Sequence, residues 1–225
     1  QLAEPAMAAS RPVSPPEQPL VASSVTGLVA VAAMRAPSGG NVQPWLIEAG
    51  EDEIAICLAP QYSPTIDVGF RGSAVAVGAA VFNARVAAAH HGILGPVTVD
   101  EHHSGSWSPL HATLWYGAGG SQDLADLYGA VLVRETNRDK GMPTPITDDV
   151  AGALTGAADR EGGHLRLITD SADLASAAEI LGASDRIRFL TPHLHQEMIA
   201  ELRWPGDPDP DAGIDTNLLV DYVDL

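Results

Sequence analysis

An α+β fold is predicted by the order of the chain's periodic segments. Helical and strand-like patterns follow one another without a clean β-α-β repeat, which disfavours a doubly wound sheet. Residues 69–91 form the most apolar stretch and predict a long buried helix, and two short apolar runs at 45–48 and 54–58 predict a β-hairpin. The composition fits a globular chain large enough to bury a core: 225 residues, 45% hydrophobic and 18% charged.

Taken in order, residues 1–20 carry Pro5, Pro12, Pro15, Pro16 and Pro19 among few large apolar groups, the composition of an arm or linker. Ser23 and Ser24 are candidate caps for a helix reaching Met34, with Val25, Leu28, Val29 and Ala32 as its apolar face. Pro37 stops it. The hairpin turns through Ala49-Gly50-Glu51-Asp52, and 60–68 is irregular, with Pro60 and Pro64. In the long helix, Ala74/Gly78 and Ala76/Ala80 permit close helix packing, and Gly92 ends it. Its uninterrupted run, 72–82, falls short of the roughly 20 apolar residues that a membrane span needs, and Arg71 and Arg85 flank it.

Strands are predicted at 97–101 and 112–116, joined by a loop rich in His, Ser and Gly. Helices follow at 122–133, 147–160 (capped by Thr147), 172–188 and 192–202, with a strand at 165–168. Residues 204–213, rich in Pro and Asp, form a loop, and 218–220 is a last apolar patch. The domain organisation expected is an arm at 1–20, a first half at 21–120 and a second at 121–225.

Charge and cysteine content narrow the function classes. Twelve Lys+Arg against 29 Asp+Glu give a formal net charge of −17, which argues against nucleic acid or an anionic membrane as partner. Three of those twelve cations fall within 134–140, where an anionic ligand would be sought. The single cysteine, Cys57, excludes an internal disulfide and suits a reducing, cytoplasmic setting. No secretory leader pattern opens the chain, and its start on Gln1 is expected of a processed or excised piece of a longer product. No Gly-x-Gly-x-x-Gly follows a strand and no Walker-type loop is present.

Two stretches carry chemistry. In Arg35-Ala36-Pro37-Ser38-Gly39-Gly40-Asn41-Val42-Gln43-Pro44-Trp45, paired glycines let the backbone approach a flat or anionic group, with Ser38 and Asn41 beside it. The same residues also suit an ordinary turn after a helix. In Arg134-Glu135-Thr136-Asn137-Arg138, an extended backbone would place Arg134, Thr136 and Arg138 on one face, and guanidinium forks suit phosphate. A helix end whose arginines flank Glu135 is the other reading.

Pro37, Ser38, Asn41, Gln43, Pro44 and Trp45 together resemble the Pro-Ser-x-x-Asn-x-Gln-Pro-Trp loop of the FMN-dependent nitroreductase family, and 134–138 resembles its Arg-x-Ser-x-Arg motif with Thr136 in place of serine. The loop precedes the arginine motif here, an order similar to the two-half branch typified by dormancy-associated mycobacterial proteins. Further landmarks are Gly-Ala-Ala-x-x-Asn in the long helix, Glu197-Met198, Glu201-Leu202-Arg203-Trp204 and Gly213-Ile214-Asp215. The resemblance implies a nitroreductase-like α+β fold: two pseudo-symmetric halves with small antiparallel sheets around a buried central helix.

It also implies one FMN per chain, held between halves that mimic a dimer, with Pro37, Ser38, Gly39, Asn41, Gln43, Arg134, Thr136 and Arg138 as cofactor-binding residues. Hydride would pass from NAD(P)H as co-substrate to a nitroaromatic, quinone or similar electron acceptor, and no catalytic protein acid or base is nominated. Family members continue beyond the equivalent of Leu225 through basic residues that help hold the phosphate. A flavin-storing protein with little turnover, or a non-catalytic interaction domain of a larger enzyme, are the competing expectations. A homodimer or a fusion partner is compatible with each.

The histidines do not predict a metal site. His90-His91 and His102-His103 are adjacent pairs whose side chains diverge, and His193, His195 and Glu197 lack a Cys pair or His-Glu-x-x-His pattern. Cys57, in a predicted strand, reads as a buried small apolar residue.

Overall fold

The computed structural model describes residues 24–101, 108–137, 142, 144–207 and 213–219. The proline-rich arm, Ser23, the pair His102-His103, Arg138 and Val220 lie outside these described residues. The chain is mixed α+β and divides into two compact units. The first comprises Gln1–Gly39, Gln43–Ser63 and Gly69–Arg134; the second comprises Gly40–Val42, Pro64–Val68 and Glu135–Leu225.

In the first unit, helix α1 spans Val25–Met34, and the Ser24 hydroxyl caps it by accepting from the Gly27 N–H at 3.1 Å. Strands β1 (Trp45–Ala49) and β2 (Glu53–Leu58) form the predicted hairpin, with Trp45 opposite Leu58. Helix α2 spans Arg71–His90. Strands β3 (Leu94–Glu101) and β4 (Leu110–Tyr116) complete an antiparallel sheet of order β1-β2-β4-β3. Strand alternation turns Ile54, Ile56 and Leu58 to one face together with Leu114, and Cys57 and His111 to the other.

That apolar face and helices α1 and α2 form the core. Ala32 and Ala33 of α1, and Ala76, Ala80, Ala84, Ala87 and Ala88 of α2, are buried with Val29, Val77 and Val86. Small side chains bring the helices close, and each fully buried large aliphatic contributes about 1.5–3 kcal/mol. The buried amide of Asn83 donates to the Ala32 carbonyl at 3.1 Å, so the polar side chain is satisfied inside this core. Helix α2 is long and apolar enough to span a membrane by length and composition, and 61% of its most apolar window is buried in the fold. It ends at Gly92 (φ 71°), with Ile93 N–H donating to the Ala88 carbonyl at 2.9 Å.

The single helix predicted at 122–133 is two: α3 (Gln122–Ala125) and α4 (Tyr128–Val133). The Leu127 N–H bonds back only three residues, to Leu124, and this tightened turn breaks the α ladder. Leu124, Tyr128 and Val131 pack on the core of the first unit.

The second unit carries α5 (Asp148–Arg160), α6 (Ser171–Leu190) and α7 (Pro192–Ala200). Thr147 caps α5 through the Val150 N–H, and Asp148, Asp149 and Arg160 complement its dipole. The Asp170 carboxylate caps α6 by accepting from Ala172 and Asp173 N–H groups. No side chain of α5, α6 or α7 is buried; Ile180 is 68% and Leu190 76% exposed.

Two expectations are corrected here. The strand expected at 165–168 is irregular backbone, which joins no ladder with any described segment. The helix predicted to reach 202 stops at Ala200, and Leu202–Arg203 becomes β5, paired in parallel with β6 (Ile214–Asp215). The sheet of the second unit is therefore a two-stranded parallel ladder among the described residues, where a small antiparallel one was expected.

Candidate functional site

Loop 37–45 is built on an unusual backbone. Gly40 (φ 59°), Asn41 (φ 53°) and Gln43 (φ 49°) all adopt the left-handed conformation within four residues. For the two non-glycine residues this is a sparsely populated state, which persists only where surrounding contacts over-determine it and which gathers at ligand-binding sites. The contacts are visible. The Ser38 hydroxyl accepts from the Gln43 N–H at 3.0 Å and closes the loop on itself. Pro44 is fully buried and its carbonyl accepts from Ala59 N–H at 3.0 Å, and Trp45 anchors the exit in the core.

Within the second unit, Asn41 is bound from both sides. Its side-chain amide donates to the Gly213 carbonyl at 3.2 Å, and its own carbonyl accepts from the Gly213 N–H at 3.3 Å. Sequence reasoning casts Asn41 as a ligand donor; the structure uses that amide to hold the loop. Glu201 lies against Gly40 so closely that a Cβ there would come within 2.7 Å of the Glu201 carboxyl carbon. Glu201 in turn pairs with Arg188 at 2.7 Å. By contrast, beyond its chain neighbours no atom of the described residues lies within 4 Å of the place a Gly39 side chain would occupy, and Gly39 and Pro37 are exposed.

The arginine-bearing stretch begins where α4 ends. Arg134 leaves the helix in extended backbone (φ −60°, ψ 129°), and residues 134–137 are not helical. Within the first unit, its Nε–H donates to the Arg35 carbonyl at 3.1 Å, and Arg35 Nε–H donates to the Val131 carbonyl at 3.4 Å. The structure thus brings Arg134 to the foot of loop 37–45, a separation of 99 residues in sequence. Thr136 is exposed in this non-helical segment.

Arg35, Arg188 and Glu201 were not singled out as site residues on sequence. Glu201 stands in the Glu201-Leu202-Arg203-Trp204 landmark, but nothing local signals that it reaches Gly40. Other landmark residues have structural partners within the second unit: Glu197 accepts from the Thr65 N–H and hydroxyl, the latter at 2.7 Å, and Asp215 pairs with Arg203 at 2.9 Å. That hydrogen bond from Arg203, joined by the Asn217 N–H, holds the Asp215 carboxyl below the usual range.

Cys57 needs a correction. It is half-buried on the sheet face away from the core, with Sγ 3.5 Å from His111 Nδ1. Strand alternation places it there, between the core residues Ile56 and Leu58. Burial pushes its thiol pKa up, with Glu48 adding to the shift, so the sulfur is held as a poorly nucleophilic thiol. Among the described residues no three His, Cys, Asp or Glu side chains gather as a metal site.

No model of a known protein family matches the chain. Over 205 residues it is 52% identical to "Uncharacterized protein MT1398" of Mycobacterium tuberculosis (strain CDC 1551 / Oshkosh). The alignment takes in 91% of this chain and 28% of that relative, so the chain spans little more than a quarter of the relative's length.

Proposed function

We propose that the chain is an FMN-binding, nitroreductase-like oxidoreductase domain that passes hydride from NAD(P)H to a nitroaromatic, quinone or similar acceptor. The observation that carries the reading is the hydrogen bond from Arg134 to the Arg35 carbonyl, which sets the first cation of one motif against the root of the other. The resemblance requires these two stretches to meet.

The local chemistry fits such a cofactor. The open side of Gly39 leaves the backbone accessible to a flat ring, and the left-handed residues Gly40, Asn41 and Gln43 give the loop a fixed shape. FMN, when bound, supplies the hydride chemistry. The chain's own residues bind and orient: Pro37, Ser38, Gly39 and Gln43 shape the loop, and Arg134 offers a fixed guanidinium to an anionic group. Thr136 and Arg138 complete the motif in sequence. A cytoplasmic setting and a small-molecule acceptor, without nucleic acid or membrane, belong to the same proposal.

The 28% share of the mycobacterial relative favours a second reading, a flavin-holding or interaction module within a longer polypeptide. Absorbance of the purified chain incubated with FMN tests both. Retained flavin bands that bleach on adding NADH or NADPH support the enzyme; bands that persist support a holding role. A chain that takes up no FMN overturns the flavin assignment.

A further inference from the structure

We propose that Arg188 and Glu201 are positioning residues that lock the Gly40–Asn41 turn in its left-handed form. For its bearing on ligand binding this rests on the flavin reading above; the lock itself does not. Three observations converge within the second unit. The Glu201 side chain fills the space beside the Gly40 Cα, with its Cδ, Oε2 and Cγ at 2.7, 2.8 and 2.9 Å from an added Cβ. A flexible carboxylate would ordinarily swing aside, but here Arg188 Nη2 holds Oε2 at 2.7 Å. The pair is partly dry, with side-chain exposures of 27% and 13%, so solvent screens it weakly.

The backbone around Glu201 tightens the same turn. Its carbonyl accepts from the Ile214 N–H at 2.8 Å, and Gly213, one residue earlier, exchanges bonds with Asn41. A side chain on Gly213 would meet that same Glu201 carbonyl at 2.9 Å. Glu201 therefore faces the loop twice: its carboxylate wedges Gly40, and its carbonyl seats the strand that grips Asn41. Gly40 takes either hand readily, whereas Asn41, left to itself, favours the commoner right-handed or extended wells. The wedge and the grip remove that choice, so the loop meets its ligand already shaped.

Hydrogen exchange of the full chain, read on peptides covering 39–43, tests the lock without any ligand. Glu201→Ala should speed exchange there about tenfold or more while distant peptides of the first unit stay unchanged. Glu201→Gln, which keeps the wedge volume, should restore most of the protection. Equal exchange in the unaltered chain and Glu201→Ala would overturn the proposal.

A double-mutant cycle gives the second arm. Gly40→Ala should destabilise the second unit, read by hydrogen exchange of its amides, far less in the Glu201→Ala background than alone, and strict additivity would overturn the wedge. The third arm is FMN affinity: Glu201→Ala and Arg188→Met should weaken it about tenfold at unchanged melting of the first unit, with Glu201→Gln nearly normal. Unchanged affinity beside accelerated exchange would overturn the positioning role. Failure of the unaltered chain to bind FMN would remove the flavin reading, and exchange and the cycle would still decide the lock.

Discussion

Arg35 and Arg134 are bound to each other's helix ends. Arg134 Nε–H donates to the carbonyl of Arg35, just past the end of α1, and Arg35 Nε–H donates to the Val131 carbonyl in the last turn of α4. Each cation thus answers a helix C-terminus, where unsatisfied carbonyls carry partial negative charge. The reciprocal bond fixes where loop 37–45 departs from the first unit.

Replacing Arg134 should therefore have two effects of different size. Arg134→Ala is expected to cost the fold only about 1 kcal/mol, the net worth of a half-exposed hydrogen bond. On the flavin reading proposed above, FMN affinity should drop by more, about tenfold or greater, because the guanidinium proposed to meet the anion is lost as well. Arg35→Ala should reproduce the stability loss with the smaller binding effect. Thermal melting beside a flavin fluorescence titration separates the two.

Asn83 offers a test of the core. Its amide is buried and bonded to the Ala32 carbonyl. Asn83→Ala removes the donor and leaves a carbonyl without that partner between closely packed helices. A destabilisation of about 1–3 kcal/mol is expected by urea unfolding. Asn83→Leu should be worse still, since the alanine-lined seam has no room for a larger apolar group.

Acid should weaken the first unit through His91. Burial disfavours its cation and the neighbouring His90 repels it, so its pKa lies below the ordinary 6.5. The unfolded chain takes up a proton there that the folded chain resists. Stability is thus retained above about pH 6.5 and lost as pH falls through the lowered folded value. His91→Gln should flatten this slope in denaturation curves recorded across that window.

Alkali should act through Tyr116, whose buried hydroxyl has no hydrogen-bond partner among the described residues and whose pKa is pushed up to about 12 by desolvation. The unfolded phenol loses its proton near 10, so stability is full below that pH and declines as pH rises toward 12. Tyr116→Phe should remove the alkaline slope. At neutral pH it should be neutral or stabilising by up to about 1 kcal/mol, because a buried unpaired hydroxyl is deleted. Unfolding followed at several alkaline pH values checks both.

Cys57 should be slow toward alkylating reagents at neutral pH, because both burial and Glu48 oppose the thiolate. The rate should climb steeply as pH is raised, and Glu48→Gln should speed it modestly. Thiol labelling followed by intact mass gives the rates.

The first unit was largely legible in the sequence because local signals agree there with packing. Strand alternation in 54–58, the Ser24 cap and the alanine-rich run of α2 each point to the element that forms. The second unit was read less well, and the reason is physical. A strand at 165–168 looks apolar enough locally, but a strand exists only with a partner, which no local pattern reports. Leu202–Arg203 continues a helical pattern yet is drawn into a ladder by residues twelve positions away.

The candidate site was half legible. Both motifs stood out by residue type, and Arg134 does lie at the foot of the loop. Asn41 stands out by residue type, but a short amide serves equally to grip a backbone carbonyl or a ligand, and no local pattern tells which. Arg188 and Glu201 escaped notice: a charged residue acting across space on a glycine leaves no periodic trace.

The uneven placement of apolar groups bears on how the chain comes apart. The sheet, α1 and α2 enclose a dense alanine and valine interior, whereas α5, α6 and α7 shield none of their side chains fully. A single melting temperature would then describe the first unit and not the polypeptide. Calorimetry should show a broad early transition of small enthalpy, from the three helices, ahead of one sharp cooperative peak.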